Sequence, residues 1–214
     1  MMKPVLRTRI KICGITKTSD AQLVANCGAD AIGLVFHERS PRFINVEAAA
    51  QIRAEVPAFV SVTALFMDES EDWVGEVIET VHPDCLQFHG AEPPNFCSQW
   101  NLPYIKAISM GSVDDAEVYA SDYQKAQGFL LDSNVAGRQG GSGDTFDWSK
   151  IPSSFPYPLI LAGGLTPHNV AEAITRVQPW AVDVSSGVES SRAIKDAQLI
   201  RQFCEEVFRV DCEH

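Results

Sequence analysis

A strand-like apolar run followed by a helix-like segment recurs about eight times along this chain, and no other feature restricts the possible folds as tightly. The predicted strands are residues 9–15, 31–36, 59–66, 85–89, 104–110, 128–133, 159–163 and 181–185. Between them, residues 20–27, 46–55, 71–81, 95–100, 113–119, 167–176 and 196–208 carry helical patterning. Strands that alternate with helices pair in parallel through right-handed crossovers, with the helices covering the outer side of the sheet. Eight such units in 214 residues predict an α/β fold, a (β/α)8 TIM barrel, as a single domain over residues 1–214. A doubly wound open sheet is the other arrangement of the same elements. The sixth unit breaks the pattern: a long polar loop, residues 134–145, leaves room for only a turn near residues 147–151.

Charge and cysteine usage narrow the function. Seventeen Lys and Arg against 28 Asp and Glu give a net charge of -11, which repels nucleic acid and anionic membranes at long range. Any anionic ligand must therefore be captured by local dipoles and a few placed cations. The cysteines (Cys13, Cys27, Cys85, Cys97, Cys204, Cys212) have wide spacings and no C-x-x-C pair, which argues against a metal ribbon or a disulfide framework. Residues 1–7 lack the apolar core of a signal peptide, and no run is apolar enough to span a bilayer. A soluble, cytoplasmic protein is expected, with no nucleic-acid or membrane partner. Amphipathic outer helices suit a monomer or a homodimer alike.

In a barrel, active sites form at the C-terminal ends of the strands, so polar and glycine residues there carry most meaning. Cys13-Gly14 ends the first predicted strand, and the second runs into a loop containing Arg42. The fourth ends at His89-Gly90 and the sixth at Asp132. The seventh ends at Gly163-Gly164 and the eighth at Ser185-Ser186-Gly187. Glycines followed by Thr166-Pro167, a helix-start signature, can present backbone N–H groups to a phosphate without any lysine. The plain alternative for Gly163-Gly164 is a tight turn; a second glycine turn after the neighbouring strand favours the phosphate. Asp132 closes the apolar run GFLLD, where a carboxyl can serve as a general acid or cap a loop. Arg42 suits a substrate carboxylate or simply the solvent, and His89 suits a hydrogen-bonded place on the rim of the substrate site.

Side chains two apart in a strand share a face, so Lys11 lies on the face of Cys13 and Asp183 on that of Ser185. A lysine inside a barrel needs a partner, and the first and eighth strands are neighbours on closure. Lys11 is therefore expected to pair with Asp183. An ammonium there would help Cys13 lose its proton, since a free thiol ionises only near pH ~8.5.

The segments KICGIT, GADAIGLVFHERSPRFI, LQFHG, LLDS with GGSGDTFDW, LILAGGLTPHNV, and VDVSSGVE with KD resemble, in order from about residue 9 to residue 196, the phosphoribosylanthranilate isomerase family of tryptophan biosynthesis. The resemblance implies an Amadori rearrangement of N-(5-phosphoribosyl)anthranilate to 1-(2-carboxyphenylamino)-1-deoxyribulose 5-phosphate, an aldose–ketose isomerisation without cofactor or metal. It implies Cys13 as general base and Asp132 as general acid. Arg42 would hold the anthranilate carboxylate, with Gly163, Gly164, Ser185, Ser186 and Gly187 around the phosphate of this phosphosugar–anthranilate substrate. The chain departs from the family pattern at Asp144, where many relatives carry lysine, and at Arg192-Ala193, where proline and glycine are usual. The related isomerase of histidine biosynthesis uses two aspartates, and Cys13 stands against that reading. A phosphosugar-binding barrel without catalysis is the alternative from another class.

Overall fold

Each predicted apolar run becomes one strand of a closed barrel in the computed structural model, which describes residues 7–132, 148, 151–152 and 155–213. The strands are β1 (Arg9–Cys13), β2 (Ala31–Val35), β3 (Ser61–Phe66), β4 (Cys85–Phe88), β5 (Tyr104–Ser109), β6 (Gly128–Asp132), β7 (Leu159–Leu161) and β8 (Ala181–Val184). They pair in sequence order, all parallel, and β8 closes on β1. This is the TIM barrel; the open sheet is excluded by the pairing of β1 with β8.

The described helices are α1 (Thr18–Asn26), α2 (Val46–Glu55), α3 (Glu71–Val81), α4 (Pro94–Ser98), α5 (Ala116–Ser121), α6 (Val170–Val177) and α7 (Ala197–Glu213). Their starts follow capping chemistry. Asn45 and Ser70 accept backbone N–H bonds at the heads of α2 and α3, and Asp115 and Asp196 do the same for α5 and α7. The Asp115 cap is why α5 begins three residues later than its apolar pattern suggests. α6 is corrected in the same way. The Thr166-Pro167 pair opens a turn, held by Asn169 Oδ1 accepting from the Thr166 N–H at 2.8 Å, and the helix starts only at Val170. Phe59, predicted to lie in β3, instead stands in the preceding loop, fully exposed, at a φ of 75°.

Alternation divides the barrel wall. Outward residues pack under the helices, where Phe36, Phe66 and Phe88 stack in succession with ring centroids 5.7 and 6.0 Å apart. The interior has two unlike halves. Ala107, Leu130, Ile160, Ala162 and Ala181 make an apolar cluster from β5 to β8. Lys11, Thr63, Gln87 and Asp183, all buried, supply polar groups from β1, β3, β4 and β8. These share the inward face with Cys13, as the register Lys11↔Asp183 and Cys13↔Gly33 requires.

After β8 the chain makes a single 3-10 turn (Ser186–Val188) and then a short antiparallel hairpin, β9 (Glu189–Ser191) and β10 (Ile194–Lys195), which the sequence pattern did not predict. The Arg192-Ala193 departure falls at its tip, with Ala193 at a φ of 64°. The predicted loop 134–145, with Asp144, lies outside the described residues. Of the short turn predicted near residues 147–151, the Ile151 N–H donating to the Trp148 carbonyl at 3.1 Å is described.

Candidate active site

Cys13 is buried, at the mouth end of β1, and its position depends on the absence of a side chain at its neighbour. A Cβ on Gly33 would lie 2.7 Å from Cys13 Sγ, so the glycine in β2 makes the space the thiol occupies. One layer deeper, Lys11 Nζ donates to Asp183 Oδ1 at 2.9 Å, as strand alternation predicts. Burial pulls the Lys11 ammonium down, yet the Asp183 carboxylate and the adjacent Cys13 more than reverse this, leaving its pKa above the ordinary value. The contact is a salt bridge buried on both sides, in which burial pushes the Asp183 carboxyl up and Lys11 restrains that rise. Burial also pushes the Cys13 thiol up, opposed by the charges of Lys11 and Lys195. Lys11 thus aids ionisation as expected, but burial wins and the resting thiol stays protonated.

Across β7 and β8 from Cys13, Asp132 ends β6, buried beneath the rim. His89 Nε2 lies 3.2 Å from Asp132 Oδ2, while His89 Nδ1 lies 3.1 Å from Gln87 Nε2. With the Gln87 amide as donor, Nδ1 accepts and Nε2–H faces the carboxyl. His89 is also held from behind. The fully buried Lys106 donates to the carbonyls of Phe88 and Gly90, on either side of it, at 3.3 and 2.6 Å. Glu92 balances that ammonium at 3.1 Å. Gln87, Lys106 and Glu92 escaped the sequence reading; only Gln87 left a signal, two residues before His89 on the same strand.

Arg42 is not a surface residue. Its stem lies against Gly14, immediately after Cys13, and its guanidinium forks onto Glu189 through Nε at 2.7 Å and Nη2 at 2.8 Å. Glu189 also accepts from Lys195 Nζ at 2.8 Å and from the Ala193 N–H at 2.9 Å. Opposed by burial, these donors still bring its carboxyl down to about 2. Lys195 continues to the Ser185 carbonyl at 2.8 Å, and Ser185 Oγ donates to the Cys13 carbonyl at 3.0 Å. Neither Glu189 nor Lys195 was singled out from the sequence, although both stand within the motifs VDVSSGVE and KD.

Beside this network lie the two glycine turns. Gly163 and Gly164 both have positive φ, 81° and 66°. Gly187 sits so close to the Leu165 carbonyl that no other residue fits. Among the described residues, no acceptor takes the N–H of Gly163, Gly164, Ser186 or Gly187. Four backbone donors from adjacent strand ends are thereby unsatisfied among the described residues, an arrangement of the kind that can receive an anion. Ser185 belongs to the turn but spends its hydroxyl on Cys13.

A family model described as N-(5'phosphoribosyl)anthranilate (PRA) isomerase matches residues 10–206. The chain belongs to that family. It is 51% identical over 206 residues to the N-(5'-phosphoribosyl)anthranilate isomerase of Alcanivorax borkumensis, covering 93% of this chain and 94% of the relative. The phosphoribosyl anthranilate isomerase structure from Thermotoga maritima superposes with a TM-score of 0.86 at 39% identity, covering 94% of this chain and 99% of that one. A second isomerase structure, in complex with reduced 1-(o-carboxyphenylamino)-1-deoxyribulose 5-phosphate, superposes with a TM-score of 0.81 at 37% identity, covering 94% and 99%. Membership gives this chain the family's activity, the isomerisation of N-(5'-phosphoribosyl)anthranilate, an aldose–ketose isomerisation of tryptophan biosynthesis. Among the described residues, no helix is long and apolar enough to cross a membrane.

Proposed function

We propose that Cys13 is the general base and Asp132 the general acid of this isomerisation. Asp132 gives its proton to the ribose ring oxygen as the C1′–O bond breaks, and the nitrogen lone pair forms the C1′=N bond of a Schiff base. Cys13 acts from its ionised form. The thiol first loses its proton to solvent at the open mouth, and the charges of Lys11 and Lys195 balance the resulting thiolate, which then takes the proton from C2′. The released electron pair makes the C1′=C2′ bond of an enolamine, which neutralises the nitrogen, and tautomerisation yields the ketone. One observation carries the assignment: an acid and a thiol converge on one barrel mouth from β6 and β1, each with its own polar support. Arg42 holds the anthranilate carboxylate. Gly163, Gly164, Ser186 and Gly187 hold the phosphate, with Ser185 bracing the turn, and His89 lines the sugar site beside Asp132. Binding energy from the two distant anions orients the sugar between base and acid.

Cys13→Ser and Asp132→Asn test the pair. Each is expected to cut turnover by about 10² or more while leaving affinity for a phosphorylated ligand within about twofold. Full activity in either variant refutes that residue's role. The proposed setting is the cytoplasm, supported by six cysteines that are all free thiols.

A further inference from the structure

The fork between Arg42 and Glu189 raises a difficulty for the carboxylate site. An arginine whose charge is matched by a buried carboxylate at 2.7 and 2.8 Å is a poor anchor for a second carboxylate. The network resolves this with a third charge. Lys195, its side chain 1% exposed, places Nζ 2.8 Å from the same Glu189 Oε1 that Arg42 Nε engages. With Lys195 as the ammonium, which burial pulls down and Glu189 holds up, the cluster of Arg42, Glu189 and Lys195 carries one net positive charge, and Glu189 itself is only 3% exposed. Geometry decides where that charge is available. Lys195 is used up on Glu189, the Ser185 carbonyl and Ser185 Oγ. Arg42 is held by its Nε and Nη2, and among the described residues Nη1 has no acceptor.

We propose that Glu189 and Lys195 are a positioning pair for the carboxylate-binding arginine: Glu189 fixes the plane of the guanidinium, and Lys195 cancels Glu189's charge so that Arg42's remains for the substrate. The hairpin β9–β10 exists, on this view, to bring the two residues together. The proposal rests on the reading of Arg42 given above and extends it to residues that touch no substrate.

Charge-balanced variants of the full chain test it. The probes are the reduced product analogue and the same compound without its ring carboxylate, with KM and kcat measured in parallel and folding checked by circular dichroism. Lys195→Met leaves the cluster neutral and also removes the donor to the Ser185 carbonyl, so both probes weaken, but the preference for the carboxylated over the decarboxylated probe is expected to fall about 10-fold or more. Lys195→Arg keeps the charge and should retain wild-type discrimination. Glu189→Gln/Lys195→Met restores the net charge without the clamp. It should recover most of the preference for the carboxylated probe while kcat stays low. Equal losses for both probes in Lys195→Met, or no recovery in the double variant, would overturn the proposal. If wild-type protein bound the two probes equally, the Arg42 reading itself would fall, which is a different result from discrimination that persists in every variant.

Discussion

Replacing Lys11 by methionine removes one partner of a buried ion pair whose side chains are 6% and 9% exposed and whose hydrogen bond measures 2.9 Å. The methionine fills much of the lysine's volume, so the main consequence is electrostatic: the Asp183 carboxylate is left in the barrel interior without its ammonium. Breaking such a pair costs about 3 to 5 kcal/mol, a large part of the roughly 5 to 15 kcal/mol that stabilises a domain. With a urea dependence of about 3 kcal/mol/M, the midpoint should fall by about 1 to 2 M at pH 8. Asp183 is already pushed up by burial and restrained by Lys11, so without Lys11 it rises further. A carboxyl whose folded pKa is raised binds its proton more tightly in the native state. The variant's deficit must therefore be smallest below the unfolded carboxyl pKa of about 3.9, grow as pH rises from there towards the raised folded value, and level off above it. Tryptophan fluorescence in urea at pH 5 and pH 8 reads both quantities. Lys11→Met/Asp183→Leu, which removes both charges, should recover at least half of the loss. A single variant within about 0.5 kcal/mol of wild type at pH 8, or a deficit that does not change with pH, would refute the reasoning.

Other outcomes follow from the same geometry. Gly33→Ala puts a methyl 2.7 Å from Cys13 Sγ, so turnover should fall about 10- to 100-fold while affinity for inorganic phosphate is unchanged. Ala193→Gly relieves a left-handed backbone at a φ of 64° and should raise stability by about 1 kcal/mol in urea titration. Glu189, brought from 4.5 to about 2 chiefly by Arg42 and Lys195 against the opposing effect of burial, contributes about 3 kcal/mol above pH 4.5. Because its folded pKa is depressed, that contribution is lost as pH falls from about 4.5 to about 2, and acid unfolding of Glu189→Gln should lack this component.

Strand alternation and the order of elements are local properties, and they made much of this protein legible in its sequence. The eight-unit barrel and the pairing of Lys11 with Asp183 follow from a period of two and from closure of β8 on β1. The placement of Cys13, Asp132 and the two glycine turns at one mouth follows from the rule that strand ends converge there. Only the tertiary structure decided what each polar group faces. His89 meets Asp132 from 43 residues away, and Arg42 meets Glu189 from 147, separations at which no spacing rule operates. The later start of α6 was decided by the Asn169 side chain, which competes with the helix for the local backbone. Whether Lys11 could ionise Cys13 was likewise a question of magnitude. Proximity in the strand supplied the favourable charge, but the depth of burial, which only the packed barrel defines, outweighs it in the resting protein.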